Sequence, residues 1–424
     1  MKTIITNGLL FDSQHARSAK QNIYIENNLI ISIEGEPENF TADQVIDAEG
    51  CWILPGLVDL KVRIREPGYT RKATLASETR AAALNGITSI CIPPDSSPSV
   101  DHAALVDQIH HNNLRAGNQC HIYIVGALTK NLNGEILANM ASLKNRGCVA
   151  VTNSLYPMHN NLIQRRAMEY ASGLNLTVVI QPIDHSLMAN GCAHESAFST
   201  RYGLAPIPEA AETAALAKDI ELVAQTGAKT HFGQLSCARS VEMIRQAKQN
   251  GLPITADCAI HQLFLTDQDI AQFDTNKHVI PPFRSQRDKE ALRAGLADGT
   301  IDCLCSDHQP HELDAKLQPF PSSEPGVSSL DSYLPLAFKL VDEGVLSKEL
   351  LVQKITYNPA QIFSLPAGKI EKGELADICI VKPDELFQLE TEKLISAGKN
   401  NAFINWNFSY KVIQTLVAGK LAKA

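Results

Sequence analysis

The chain has 424 residues, 44% of them hydrophobic, enough for one large barrel with an appendage or for two to three average cores. Its formal net charge is -8 at pH 7 with no long basic run, which argues against nucleic acid and anionic membranes as partners. No apolar stretch reaches the roughly 18 residues a membrane-spanning helix needs, and the opening MKTIITNGLLFDSQ lacks the apolar centre of a secretory leader. The ten Cys stand singly except for Cys303 and Cys305, whose spacing is neither a zinc-ribbon nor a redox motif. Dispersed thiols without a leader point to reduced, buried cysteines and a cytoplasmic location.

In chain order, the first fifty residues read as hairpins. Thr3–Thr6 leads into Asn7-Gly8, Asn22–Glu26 into Asn27-Asn28, and Leu29–Ile33 follows. From Ile53 short apolar runs alternate with helical stretches. Strands are expected at Leu57–Leu60, Ser89–Ile92, Cys120–Val125, Cys148–Thr152, Thr177–Gln181, Lys229–Leu235, Ile254–Ala259 and Cys303–Ser306. Helices are expected between most of them, as at Thr74–Asn85, Asp101–Asn112, Glu209–Gln225 and Ser240–Asn250. About eight strands, most followed by a helix, fit an α/β fold of the (β/α)8 barrel type. An open doubly wound sheet lacks its Gly-rich phosphate fingerprint here. From about Lys369 the strand-and-turn pattern returns, at Gly373–Val381 and Val412–Val417. The expected organisation is a barrel over 55–365 and a small β domain built from 1–54 and 366–424.

Five segments together resemble the dihydroorotases of the amidohydrolase superfamily. Pro55–Gly68 resembles the family's PGLVDLHVHLREPG, and Pro281–Ser285 the end of its NPPLR. Asp298–Asp302 matches DGTID, Ser306–His311 resembles TDHAPH, and Asn358-Pro359-Ala360 matches NPA. Their order and spacing agree over nearly the whole chain. The resemblance implies a metal-dependent cyclic-amide hydrolase, in which a divalent metal, usually zinc, makes a hydroxide and polarises the amide carbonyl.

Carried over residue by residue, that metal site is missing. The two His of His-x-His correspond to Lys61 and Arg63, and the bridging carboxylate to Asn153. The His of HCED corresponds to Gln181 and the His of CHVS to Gln234. Asp307 alone is retained. Protonated Lys and Arg offer no lone pair. At about 4 Å and an effective dielectric near 20, a dication beside one ammonium costs on the order of 8 kcal/mol. No zinc or other cofactor is therefore expected, and Lys61 or Arg63 is expected to pair with Asp307. In the substrate pocket Arg65 and His311 match the family, whereas Asp95 replaces an Asn and would repel a substrate carboxylate, and Ile280 replaces another Asn. Arg65 is read either as a residual anion site or as a partner of Glu66. His261, His308 and His311 are read as hydrogen-bonded structural histidines.

The resemblance extends to non-catalytic dihydroorotase-like subunits of bacterial aspartate carbamoyltransferase. On that basis the expected role is structural: a homo-oligomer that binds the carbamoyltransferase catalytic subunit in pyrimidine biosynthesis. The competing expectation is an altered, metal-independent hydrolase using Asp307 as base and Lys61 as electrophile or nucleophile.

Overall fold

The alternation of short apolar runs and helices closes into a barrel in the computed structural model, which describes residues 1–33 and 35–423. The staves are β1 (Leu57–Asp59), β2 (Ile87–Ile92), β3 (His121–Ala127), β4 (Ala150–Thr152), β5 (Thr177–Ile180), β6 (Thr230–Phe232), β7 (Ile254–Ala259) and β8 (Cys303–Cys305). Each pairs in parallel with the next. β2 and β8 are buried at every position, as expected of strands covered on both faces. A helix follows each strand before the next begins, from Leu75–Leu84 after β1 to Leu330–Asp342 after β8.

The ring closes just beyond the regular ends of β8 and β1. Val62 bridges His308 in parallel. The Arg63 N–H donates to the His308 carbonyl at 3.0 Å, and the His308 N–H to the Lys61 carbonyl at 3.2 Å. Because side chains alternate along an extended segment, Lys61 and Arg63 share one side, while buried Val62 takes the other.

The chain ends form a second β layer. One sheet runs in the order Lys420–Leu421, Asn407–Val417, Ile378–Gln388, Trp52–Pro55, Leu9–Asp12 and Arg17–Lys20, so N- and C-terminal strands interleave. A four-stranded sheet contains Lys2–Thr6, Ile23–Glu26, Leu29–Ser32 and Gln44–Asp47. Ile5, Ile23, Ile25, Ile53, Ile378 and Leu416 belong to their shared core. The segment between the two long C-terminal strands leaves this layer for the barrel. Ser396 Oγ donates to Glu78 Oε2 at 2.6 Å, and Asn400 bonds the Gln309 carbonyl (2.9 Å) and the His311 N–H (2.9 Å).

Barrel element ends differ from the sequence expectation by at most three residues, whereas the two C-terminal strands are displaced further, spanning Ile378–Gln388 and Asn407–Val417. The helix expected at Asp101–Asn112 spans Ala103–Arg115. Asp101 is held outside it, accepting from the Asn131 N–H at 2.8 Å. All ten cysteines are free thiols and buried. No helix among the described residues is long and apolar enough to cross a membrane.

Candidate functional site: a barrel mouth closed by an ion-paired arginine

The chain leaves several staves through unusual backbone. Ser154, Gln234 and Asp307 each lie two residues beyond the end of β4, β6 and β8, and their φ angles are 52°, 53° and 45°. Arg65, two residues past Arg63, has φ 62°. A non-glycine residue held left-handed costs on the order of 1–3 kcal/mol, and such strain concentrates at functional sites. Four of these positions ring one mouth, at the C-terminal end of the strands where barrel enzymes place their chemistry.

Arg63 dominates the centre. It is 4% exposed. Its Nε donates to Asp95 Oδ2 at 2.7 Å, and its Nη1 donates to Asp307 Oδ1 at 3.2 Å. Ser154 Oγ adds a bond to Asp95 at 3.2 Å, and Gln309 Nε2 reaches both Asp307 oxygens at 3.3 Å. Burial opposes the charged guanidinium, but the two carboxylates outweigh it and raise its pKa. Burial likewise pushes Asp95 up, while Arg63 and then Lys61 pull it net below the ordinary carboxylate value. The expected pairing of a basic residue with Asp307 is therefore made by Arg63. Asp95, expected to act as a bare repulsive carboxylate, is instead half of the same bridge. Its partner lies 32 residues away, so the sequence gives no sign of the pairing.

Lys61 is buried and, among the described residues, has no carboxylate within 4 Å. Burial, and next the charge of Arg63, lower its pKa, against the partial opposition of Asp307 and Asp95. The amide replacements turn to local partners. Asn153 accepts from Thr129 Oγ1 at 2.7 Å and donates to the carbonyls of Leu132 and Tyr156. Gln181 reaches the Ile280 carbonyl at 3.5 Å, and Gln234 donates to Cys305 Sγ at 3.8 Å. Gln234 Oε1 has no partner.

A divalent ion does not fit this arrangement. Asp307, the one carboxylate among the positions matched to the family's ligands, is already paired with Arg63, a fixed cation that stands between it and Asp95. Among the described residues, His231, Asp257 and Cys303 bring possible ligand atoms within 4.8 Å of one another, nearer the start of the barrel strands. Two of its three members are already engaged in hydrogen bonds. The imidazole engages Asp257 Oδ2 and Thr255 Oγ1, each at 2.9 Å, while Asp257 Oδ1 accepts the Gln234 N–H at 2.6 Å.

Outside the plug lies an open basin of about 440 Å³, lined in part by Arg65, Tyr69, Lys72, Tyr156, His311 and Glu324. Arg65 does not pair with Glu66, which instead accepts from the Leu75 N–H (2.9 Å) and Asn112 (3.2 Å). The Arg65 Nε donates to the Pro310 carbonyl at 3.2 Å, and among the described residues no carboxylate lies within 4 Å of the guanidinium. Burial and the nearby charge of Arg63 bring its pKa down to about 10. His311 is held neutral, its pKa pushed down to about 2 by burial and by Arg65 and Lys72. Its Nε2 lies 3.0 Å from the Pro325 carbonyl and its Nδ1 3.2 Å from Lys72 Nζ. Nε2 also lies 3.3 Å from Arg65 Nη2 and Nδ1 3.3 Å from Glu324 Oε2, so each ring nitrogen faces one donor and one acceptor.

His308 is structural as expected, bonded to Glu78 at 2.7 Å and to the Ser329 N–H at 3.0 Å. His261 is not: it is 1% exposed and neither ring nitrogen has a partner. The sequence reading also missed Ser154, Gln309 and Asn400. Polar residues of this kind carry no local signal, because tertiary contacts alone give them their place.

The parallel barrel, the strained strand ends and the cluster of charges at the mouth define a protein of the amidohydrolase architecture. The family model described as "Amidohydrolase family" matches residues 52–422. A dihydroorotase-like protein of Pseudomonas aeruginosa is 43% identical over 400 residues, covering 94% of either chain. A second, from Pseudomonas putida, is 41% identical over 99% of this chain and 98% of its own. A dihydroorotase of Syntrophotalea carbinolica is 38% identical over 99% of both. This chain belongs to the amidohydrolase family, in the branch of the dihydroorotases and dihydroorotase-like proteins. The L-hydantoinase of Arthrobacter aurescens superposes with a TM-score of 0.88 over 99% of this chain and 95% of its own at 21% identity, a likeness of fold.

Proposed function

We propose that this chain is a non-catalytic dihydroorotase homologue that acts in pyrimidine biosynthesis as a structural partner of aspartate carbamoyltransferase. The Arg63 bridge carries the reading. Asp307, the residue an active relative would need as ligand and proton shuttle, is held in a buried ion pair with Arg63 (3.2 Å) and a hydrogen bond from Gln309. A carboxylate so occupied is a poor base, and a barrel that keeps its framework while tying up its centre is one retained for its surface. The competing metal-independent hydrolase needs Asp307 free and Lys61 reachable. Against it, Lys61 is 6% exposed and Asp307 only 2%.

Mixing the purified chain with the carbamoyltransferase of the same organism tests the proposal. The expected result is co-elution as one large species, with transcarbamoylase activity that depends on this chain. Turnover of dihydroorotate by the chain alone, abolished by a chelator, contradicts it.

A further inference from the structure

The βα loops at the plugged end of the barrel expose large apolar side chains. Leu313 and Leu317 follow β8 and are 71% and 68% exposed, and Phe273 follows β7 at 43%. Ile136 after β3, and Tyr69 and Tyr156 beside the basin, are exposed as well. The β7 and β8 loops form one surface, because Thr275 Oγ1 donates to the Lys316 carbonyl at 2.6 Å and Lys316 Nζ returns a bond to the Thr275 carbonyl at 3.0 Å. The segment Leu313–Lys316 borders the basin, because Lys316 Nζ donates to the Glu324 carbonyl at 2.6 Å and the Glu324 N–H to the Ala315 carbonyl at 3.1 Å, and exposed apolar side chains beside a concavity mark an interaction face. Substrate access does not account for them, since Arg63 blocks the way to the barrel centre. In the basin sits Arg65, a largely buried guanidinium whose terminal nitrogens have no carboxylate within 4 Å among the described residues. Such a fork matches an incoming carboxylate two-pronged.

We propose that this rim is the docking face for the protein partner, with apolar side chains of the partner covering Phe273, Leu313 and Leu317 and a partner Asp or Glu entering the basin to meet Arg65. The inference rests on the assembly role argued above. Two features favour this occupant: the exposed apolar side chains suit a protein surface, and Arg65, without a carboxylate in direct contact among the described residues, suits an acid carried by that surface.

The test uses the full chain and the carbamoyltransferase of the same organism in gel filtration and a concentration-dependent binding assay. Leu313→Asp combined with Leu317→Asp, and separately Arg65→Gln, are each expected to weaken association at least tenfold. Leu114→Asp, at an equally exposed position (67%) near the end of Ala103–Arg115 and hence at the opposite end of the barrel, is expected to leave it unchanged. Melting curves establish that each variant folds; the leucine pair, being exposed, keeps the test valid if Arg65→Gln does not. If wild type binds and the leucine variant binds equally well, the docking face is elsewhere and the assembly role stands. If the leucine variant instead splits a self-associated form of the chain, the occupant is a second copy and the inference fails. If wild type does not bind, both the inference and the assembly role fail.

Discussion

At the scale of one residue, Arg63 places positive charge between two acids that converge on the barrel mouth. A guanidinium reaches Asp95 and Asp307 at once through different nitrogens, which an ammonium on a single atom does less readily. Removing one member of a buried ionic group leaves an uncompensated charge and costs about 3–5 kcal/mol. Arg63→Gln should therefore lower unfolding stability by about that amount in urea titrations. A loss below about 1 kcal/mol would mean the bridge is solvated and weak. Combining Arg63→Gln with Asp95→Asn should cost less than the sum of the two, because the second change removes the charge that the first strands.

His261 gives a second prediction at this scale. Burial pushes its pKa down to about 4, with only Asp307 opposing. The folded chain thus holds the ring neutral where the unfolded chain, with a pKa near 6.5, binds a proton. This contribution is fully present above pH 6.5, is lost as pH falls from there towards about 4, and levels off below. At 1.36 kcal/mol per unit the full effect is about 3 kcal/mol. His261→Leu should flatten the fall of the urea midpoint between pH 6.5 and 4.5 relative to wild type. Equal slopes for the two proteins would show that the ring is already protonated or solvated in the fold.

At the scale of elements, the sequence carried the barrel well and its centre only in part. Runs such as Ile87–Ile92 and Cys303–Cys305 are apolar because they are covered on both faces, and that pattern is local. Lys61, Arg63, Gln181 and Gln234 were expected to stand at family ligand positions because each sits at a fixed place within a segment that resembles the family's. Partners were not legible. Arg63 and Asp307 are 244 residues apart, and Asn400 reaches the His311 backbone from a segment that composition assigns to the β layer. Nor does sequence show that Asn153 is absorbed by its own loop through Thr129 and Leu132. Backbone strain at Ser154, Gln234 and Asp307 was equally silent, since none of these residue types announces a left-handed φ as glycine does.

For the whole molecule, the parts have different fates. The barrel, the interleaved terminal sheet and the contacts that join them form a complete framework, while the mouth is filled by an internal ion pair and bordered by exposed apolar side chains. A scaffold role accounts for both, because assembly requires a rigid surface and not a reactive centre. The account stands or falls on what lies between Asp95 and Asp307. Anomalous diffraction from crystals grown with zinc, measured on both sides of the zinc absorption edge, examines that point directly. The expected map has no anomalous peak within bonding distance of Asp307 and shows guanidinium density joining the two carboxylates. A zinc peak on Asp307, with Arg63 displaced, would contradict the central claim and return the chain to the metal-dependent hydrolases.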